Sequence, residues 1–209
     1  MVSGKEFWNK RAQVYDRQVS GIYREAYEKT AAYSLAYLKP QDRVLEFACG
    51  TGIVTCAVAP HVKHILAIDQ AEEMAGKARE KVDAQNLTNV DVAVMDLFDP
   101  QLTPGSFDAV MAFNVLLYVQ DPDGTLERIR QLLKPGGVFL SATDCLGGSF
   151  SGAAVKKFWK SRTGKMPYVG FFTMRGLARR VAKAGFCVVQ SENLFPDPPN
   201  LFLAAKKEK

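Results

Sequence analysis

Val44-Leu45-Glu46-Phe47-Ala48-Cys49-Gly50-Thr51-Gly52 is an apolar run that carries one acid and then breaks into glycines. A hydrophobic strand feeding a glycine-rich turn lets a ligand approach bare backbone, with the N–H groups of the turn and of the following helix facing it. A cofactor site is therefore expected here. Gly50-Thr51-Gly52 is followed by Ile53-Val54-Thr55, so the third glycine of the dinucleotide fingerprint is missing, which weighs against a nicotinamide cofactor. Glu46 would repel a pyrophosphate but suits a cationic amino group. The ligand implied is a nucleoside that carries positive charge.

The segment Glu46 to Gly52 resembles the first motif of the class I S-adenosylmethionine-dependent methyltransferases, acid-x-Gly-x-Gly-x-Gly, with Ala48 in place of the first glycine. Other landmarks follow in the order that family shows. A second apolar run, 64–69, ends at Asp69, where the resemblance implies an acid holding the ribose hydroxyls. Gln70 to Met74 continues the local pattern. A third run, 90–95, leads into Asp96-Leu97, where the family has a carboxylate accepting from the adenine amino group. A fourth, 107–113, ends at Asn114, and Leu132 to Leu140 is similar to the family's turn into strand five. The resemblance thus implies S-adenosylmethionine as cofactor and S-adenosylhomocysteine as product. Its implied binding residues are Tyr15, Glu46, Ala48, Gly50, Gly52, Asp69, Gln70, Met74, Asp96, Leu97 and Asn114.

The 209 residues suit a single domain with a sizeable core, and 47% hydrophobic with 23% charged residues is ordinary for a globular protein. No apolar stretch reaches the eighteen or so residues needed to cross a bilayer, and residues 1–7 lack the apolar centre of a secretory signal. A cytoplasmic address is expected. Cys49, Cys56, Cys145 and Cys187 form no C-x-x-C pair and read as buried reduced thiols. His61 and His64 read as surface residues, and no metal site is expected. The net charge of +5 gathers in 156–165, in 175–183 and in the tail Lys206-Lys207-Glu208-Lys209, read as a solvated end. A nucleic-acid partner is not demanded.

Helical patterns cover about 4–19 and 21–38, the second stopped by Lys39-Pro40. Strands near 43–48, 63–69, 89–95, 107–114 and 137–143 are separated by helices near 52–60, 71–85 and 123–133, which implies buried parallel strands with helical crossovers. Thr173 can cap a helix that ends before Gly185. Residues 186–194 and 200–207 are too close for a crossover and must pair antiparallel. The fold expected is α/β, a Rossmann-like doubly wound sheet of seven strands, mostly parallel with a C-terminal antiparallel hairpin. Its parts are a helical cover (1–40), a cofactor-binding core (41–145), a lid insertion on the substrate side (146–172) and a last helix with the terminal hairpin (173–209).

Methyl transfer from a sulfonium needs mainly alignment, because the leaving group is already activated. No catalytic residue is therefore demanded, and three side chains are candidates. Tyr15 lies in Trp8-x-x-x-Ala12-x-x-Tyr15-Asp16, which resembles a family pattern whose tyrosine closes over the cofactor; it also fits the buried side of an amphipathic helix. Tyr118 follows strand four, beside substrate or packed on the next helix. Asp144 follows strand five, as a base, a substrate anchor or a helix cap. The segment Ala153 to Arg162 mixes cations with Phe158 and Trp159 and reads as a lid over an apolar substrate, as a helix on a membrane surface, or as a plain surface helix.

The function expected is methyl transfer to a small molecule, with an apolar or aromatic one among the candidates, since no recognition domain is appended. Asn114-Val115-Leu116-Leu117 also stands where many nucleic-acid enzymes have Asn/Asp-Pro-Pro-Tyr/Phe. A lipid or quinone methyltransferase at a membrane surface, and a non-catalytic S-adenosylmethionine-binding regulatory module, are the alternatives. The substrate, the acceptor atom and the oligomeric state are open at this point.

Overall fold

The computed structural model describes residues 3–148 and 152–208. Residues 149–151 of the expected lid insertion lie outside the described residues. In chain order the helices are α1 (Gly4–Val19), α2 (Arg24–Leu35), α3 (Ile53–Val58), α4 (Glu72–Ala84), α5 (Pro122–Leu132), α6 (Gly152–Arg162) and α7 (Met174–Lys183). The strands are β1 (Arg43–Phe47), β2 (His64–Asp69), β3 (Val90–Val94), β4 (Phe107–Phe113), β5 (Leu133–Asp144), β6 (Phe186–Pro196) and β7 (Pro199–Lys207).

They form one seven-stranded sheet in the order β3-β2-β1-β4-β5-β7-β6. Strands β1 to β5 pair parallel, while β7 runs antiparallel to both β5 and β6. The central strands are apolar on consecutive residues because both faces are covered. Along β1, Val44 enters a cluster with Val54 and Val58 of α3 and Ala78 of α4, and Leu45 enters the opposite one with Ile129 of α5 and Leu177 and Val181 of α7. The N-terminal helix α1 lies against the start of α4, with Ala12 packed on Ala71 and Met74. Helices α5 and α7 begin at side-chain caps: Asp121 accepts from Gly124 N–H at 2.9 Å and Thr173 from Gly176 N–H at 3.0 Å.

Several boundaries differ from the sequence reading. α2 covers only 24–35, and the expected helix at 52–60 splits into α3 and a 3₁₀ turn at Ala59–His61 that carries Pro60. β5 begins at Leu133, so Lys134 to Gly137 belong to the strand; Leu133 pairs with Phe107 and the register shifts before Ala109 meets Val138. The hairpin strands are longer than expected and meet at the proline-rich turn. Lys206 and Lys207 lie in β7, as the expected strand at 200–207 has them: Lys206 is exposed, while Lys207 Nζ is not a free solvated end and donates to the Leu133 carbonyl at 2.7 Å. Cys187 is exposed rather than buried, because β6 is an edge strand. His64 meets Asp91 at 2.9 Å, an acid distant in sequence that β2–β3 pairing brings near. Among the described residues no helix is long and apolar enough to cross a membrane.

Candidate functional site

Strand order reverses between β1 and β4, since the chain runs outward from β1 to β2 and β3 and then returns to place β4 on the other side. In open α/β sheets ligands collect in the crevice outside the carboxyl ends of the strands at such a switch point. A cavity of about 560 Å³ lies there, bounded by Phe47 at the end of β1 and by Phe113 and Asn114 at the end of β4.

Its floor is the turn after β1. Ala48, Gly50 and Gly52 all have positive φ, at 56°, 58° and 75°. An alanine in this conformation is disfavoured by roughly 1–2 kcal/mol relative to the right-handed region, so the backbone path is kept even where the motif glycine is absent. A Cβ on Gly50 would meet nothing within 4 Å, whereas one on Gly52 would lie 3.1 Å from Ala78 Cβ. Gly50 leaves room over the turn, and Gly52 lets the turn close down on α4.

Asp69 ends β2 beside this floor. Its Oδ2 accepts from Gly50 N–H at 2.9 Å and its Oδ1 from Ala71 N–H at 2.8 Å. Burial raises its pKa, and the two backbone hydrogen bonds pull the other way. Asp96, after β3, accepts from Phe98 N–H at 2.7 Å and from the Gln70 side chain. Asp69, Gln70, Met74, Asp96 and Leu97 line the cavity, Trp8 and Tyr15 of α1 pack beside them against Ala71 and Met74, and Tyr118 and Val119 line it after β4. Trp8 stands edge-on to Tyr118 at 5.1 Å and to Tyr15 at 6.1 Å.

The structure brings Tyr15, Ala48, Gly50, Asp69, Gln70, Met74, Asp96, Leu97, Asn114 and Tyr118 to this cavity. Among the described residues Glu46, Gly52 and Asp144 are not part of its wall. Glu46 is buried beneath the turn, where its Oε2 accepts from Thr55 Oγ1 at 2.5 Å. Burial pushes its carboxyl up to about 8, the Thr55 hydroxyl pulls it down, and the charge of Asp69 adds to the rise. An unfolded chain ionises a glutamate near 4.3, so between that pH and about 8 folding takes up a proton and stability falls as pH rises. Glu46→Gln lacks this proton. Its stability relative to the parent is expected to increase between pH 5 and pH 8.5, read from urea unfolding at both; a pH-independent difference would show that Glu46 is ionised in the fold.

Asp144 belongs to a second array behind the cavity. The hydroxyls of Tyr15 and Tyr27 lie 2.8 Å apart, and Asn114 Nδ2 donates to the Tyr27 hydroxyl at 3.3 Å. Asn200 Nδ2 donates to Asn114 Oδ1 and to Asp144 Oδ1, both at 2.9 Å, and Lys157 Nζ pairs with Asp144 Oδ2 at 2.7 Å. Burial raises the pKa of Tyr15 and of Tyr118, so both phenols hold their protons at neutral pH. Sequence reading missed Trp8 as a wall residue and Tyr27, Asn200 and Lys157 as members of the array. Asn200 carried one signal, an amide at the start of the otherwise apolar Leu201-Phe202-Leu203.

The doubly wound sheet, the left-handed turn after β1 and the crevice at the switch point define a Rossmann-like ligand-binding domain. Residues 45–141 match a methyltransferase domain family. Ubiquinone biosynthesis O-methyltransferase of Xanthomonas axonopodis pv. citri is 31% identical over 172 residues, covering 79% of this chain and 72% of that protein. The Xanthomonas campestris protein of the same name is 36% identical over 118 residues, covering 56% of this chain and 49% of its own. The chain spans about half the length of the first curated relatives it matches. Among solved structures, Haemonchus contortus phosphoethanolamine N-methyltransferase 2 in complex with S-adenosyl-L-methionine superposes with a TM-score of 0.81 at 19% identity, over all of this chain and 61% of that one. The chain belongs to the class I S-adenosylmethionine-dependent methyltransferases.

Proposed function

We propose that the chain binds S-adenosylmethionine across the crests of β1, β2 and β3 and directs its methyl group to a small, neutral, apolar or aromatic acceptor beside Tyr118. The observation that carries this is the pairing of the Gly50 turn with the Asp69 carboxylate in a cavity that the aromatic side chains of Trp8, Tyr15 and Tyr118 also line. The residues present fit the cofactor: space above Gly50 admits a ligand against backbone, and about 560 Å³ lies within the range of small-molecule sites. In this reading Asp69 holds the ribose, Asp96 with Leu97 receives the adenine, and Tyr15 closes over the ligand from α1.

The cofactor supplies an activated methyl on a cationic sulfur that leaves neutral. What the chain supplies is position: aligning nucleophile, methyl and sulfur is worth on the order of 7–11 kcal/mol. Tyr15 and Tyr118 stay protonated and so donate or pack rather than act as bases. The only basic side chain on the wall among the described residues is Lys5, which pairs with Glu72 at 3.0 Å. A phosphorylated acceptor would find little counter-charge there. A neutral hydroxylated aromatic is better matched, and the names of the two Xanthomonas relatives support such an acceptor. In the same reading, residues 146–172 choose the substrate from above the β4–β5 crest.

Calorimetry tests the cofactor. S-adenosylmethionine and S-adenosylhomocysteine should both bind and NADH should not, whereas tight NADH binding without response to either sulfur nucleoside would overturn the reading. Turnover against hydroxylated aromatics and phosphorylated amines then separates the acceptor classes.

A further inference from the structure

The 27 basic residues are unevenly placed. Nine lie between residues 145 and 191, a stretch without a single Asp or Glu, while the other 18 are outnumbered by all 22 acids. One region is therefore strongly positive on an otherwise negative chain. Two of the nine are used internally: Lys157 pairs with Asp144, and Arg180 pairs with Asp123 of α5. Lys156, Lys160, Arg162 and Lys165 are exposed on and just after α6, and Arg175 and Arg179 are exposed on α7.

The same region carries exposed apolar side chains. Trp159 is 61% exposed, Val155 one turn earlier 47% and Phe171 40%. They are one patch rather than scattered singles. Phe158 stands edge-on to Trp159 at 5.8 Å and to Phe171 at 5.4 Å, and the Arg162 guanidinium lies 5.4 Å from the Phe158 ring. The opposite side of α6 is anchored by buried Ala154 and by Lys157, so the helix cannot turn Trp159 inward without breaking the Lys157–Asp144 pair.

We infer that the α6 face, with Val155, Trp159 and Phe171 ringed by Lys156, Lys160 and Arg162, docks on the surface of an anionic lipid bilayer. Tryptophan favours the headgroup level, where its ring is half apolar and half wet, and lysine and arginine stems lie along apolar surface while their heads reach anionic headgroups. A polyanion such as nucleic acid would answer the cations, but it gives no reason for exposed Val155 beside them. An apolar protein groove would answer Val155 and Trp159 but not the one-sided charge. The bilayer answers both. Pro167, a few residues beyond α6, lines the cavity, so a docked α6 would place the cavity mouth next to the lipid phase.

This inference goes beyond the methyl-transfer reading and does not depend on it, because the test contains no cofactor. Full-length protein is floated with vesicles of phosphatidylcholine alone and of phosphatidylcholine with 30% phosphatidylglycerol, in low and in 0.5 M salt. Binding to the anionic vesicles, lost on adding salt, and a blue shift of tryptophan emission absent in Trp159→Phe are expected. Each cation near such a surface changes binding about fivefold, so Lys156→Glu with Lys160→Glu should weaken it at least tenfold with an unchanged circular dichroism spectrum. No preference for anionic vesicles, or an unaltered affinity in the double variant, would overturn the inference. So would tighter binding of single-stranded DNA than of vesicles at the same salt.

Discussion

Asp69→Ala is expected to weaken S-adenosylmethionine binding at least tenfold in a protein that still folds. Hydrogen bonds to a charged acceptor contribute roughly 1.5–3 kcal/mol each, and a carboxylate at the end of β2 can accept from both ribose hydroxyls. Each oxygen of Asp69 already accepts one backbone N–H, from Gly50 and from Ala71. The substitution therefore also leaves those two donors without their acceptor and loosens the turn over which the ligand lies. Asp69→Asn, which keeps one acceptor oxygen, should fall between parent and alanine. Asp96→Ala should cost less, because its proposed partner is a neutral amino group. Calorimetric titration of the three variants decides the order, and unchanged affinity in folded Asp69→Ala would remove the residue from the site.

The largest loss of stability is expected from Gly52→Val. Gly52 sits at φ 75°, and a Cβ there would lie 3.1 Å from Ala78 Cβ and 3.3 Å from Ala78 Cα. The left-handed conformation costs a non-glycine residue roughly 1–2 kcal/mol, and a branched side chain forced against the α4 backbone adds about 1–3 kcal/mol. A fall of about 3 kcal/mol, or on the order of 6–12 °C in a domain of this size, should appear in thermal unfolding. Gly50→Ala shares the conformational cost but meets no neighbouring atom within 4 Å, so its stability loss should be smaller. Equal losses at the two positions would mean that contact with α4 contributes nothing.

The sheet was legible in the sequence because buried parallel strands write themselves as continuous apolar runs, and because acids that line the cavity, Asp69 and Asp96, stand at or just after the ends of two of those runs. The turn was legible for the opposite reason, a sudden loss of side chains at Gly50 and Gly52. The array behind the cavity was not. Tyr27, Asn200, Asp144 and Lys157 come from four different elements and Asn114 from the loop after β4, and no local periodicity marks residues that the folded chain alone brings together. The place of Glu46 was also hidden. An acid in an apolar strand says that something satisfies it, but whether that is a ligand or the Thr55 hydroxyl depends on how α3 packs beneath the turn. Lys207 misled in its side chain alone, since a lysine next to the chain's charged end reads as solvated until sheet pairing brings its ammonium to the Leu133 carbonyl.

The position of β7 has a consequence for the way the protein is made. The strand that sits between β5 and β6 is also the one that appears after both in the chain, so a ribosome releases Asn200 only after the first six strands have emerged. Until then Asn114 and Asp144 lack the amide that joins them, and the side of β5 awaiting β7 is an open, apolar edge. The nascent protein therefore passes through a stage in which the glycine turn and Asp69 are already synthesised while the rear of the cavity is unsealed. On the binding proposed above, the nucleoside-recognising turn is made before the rear of the cavity is sealed.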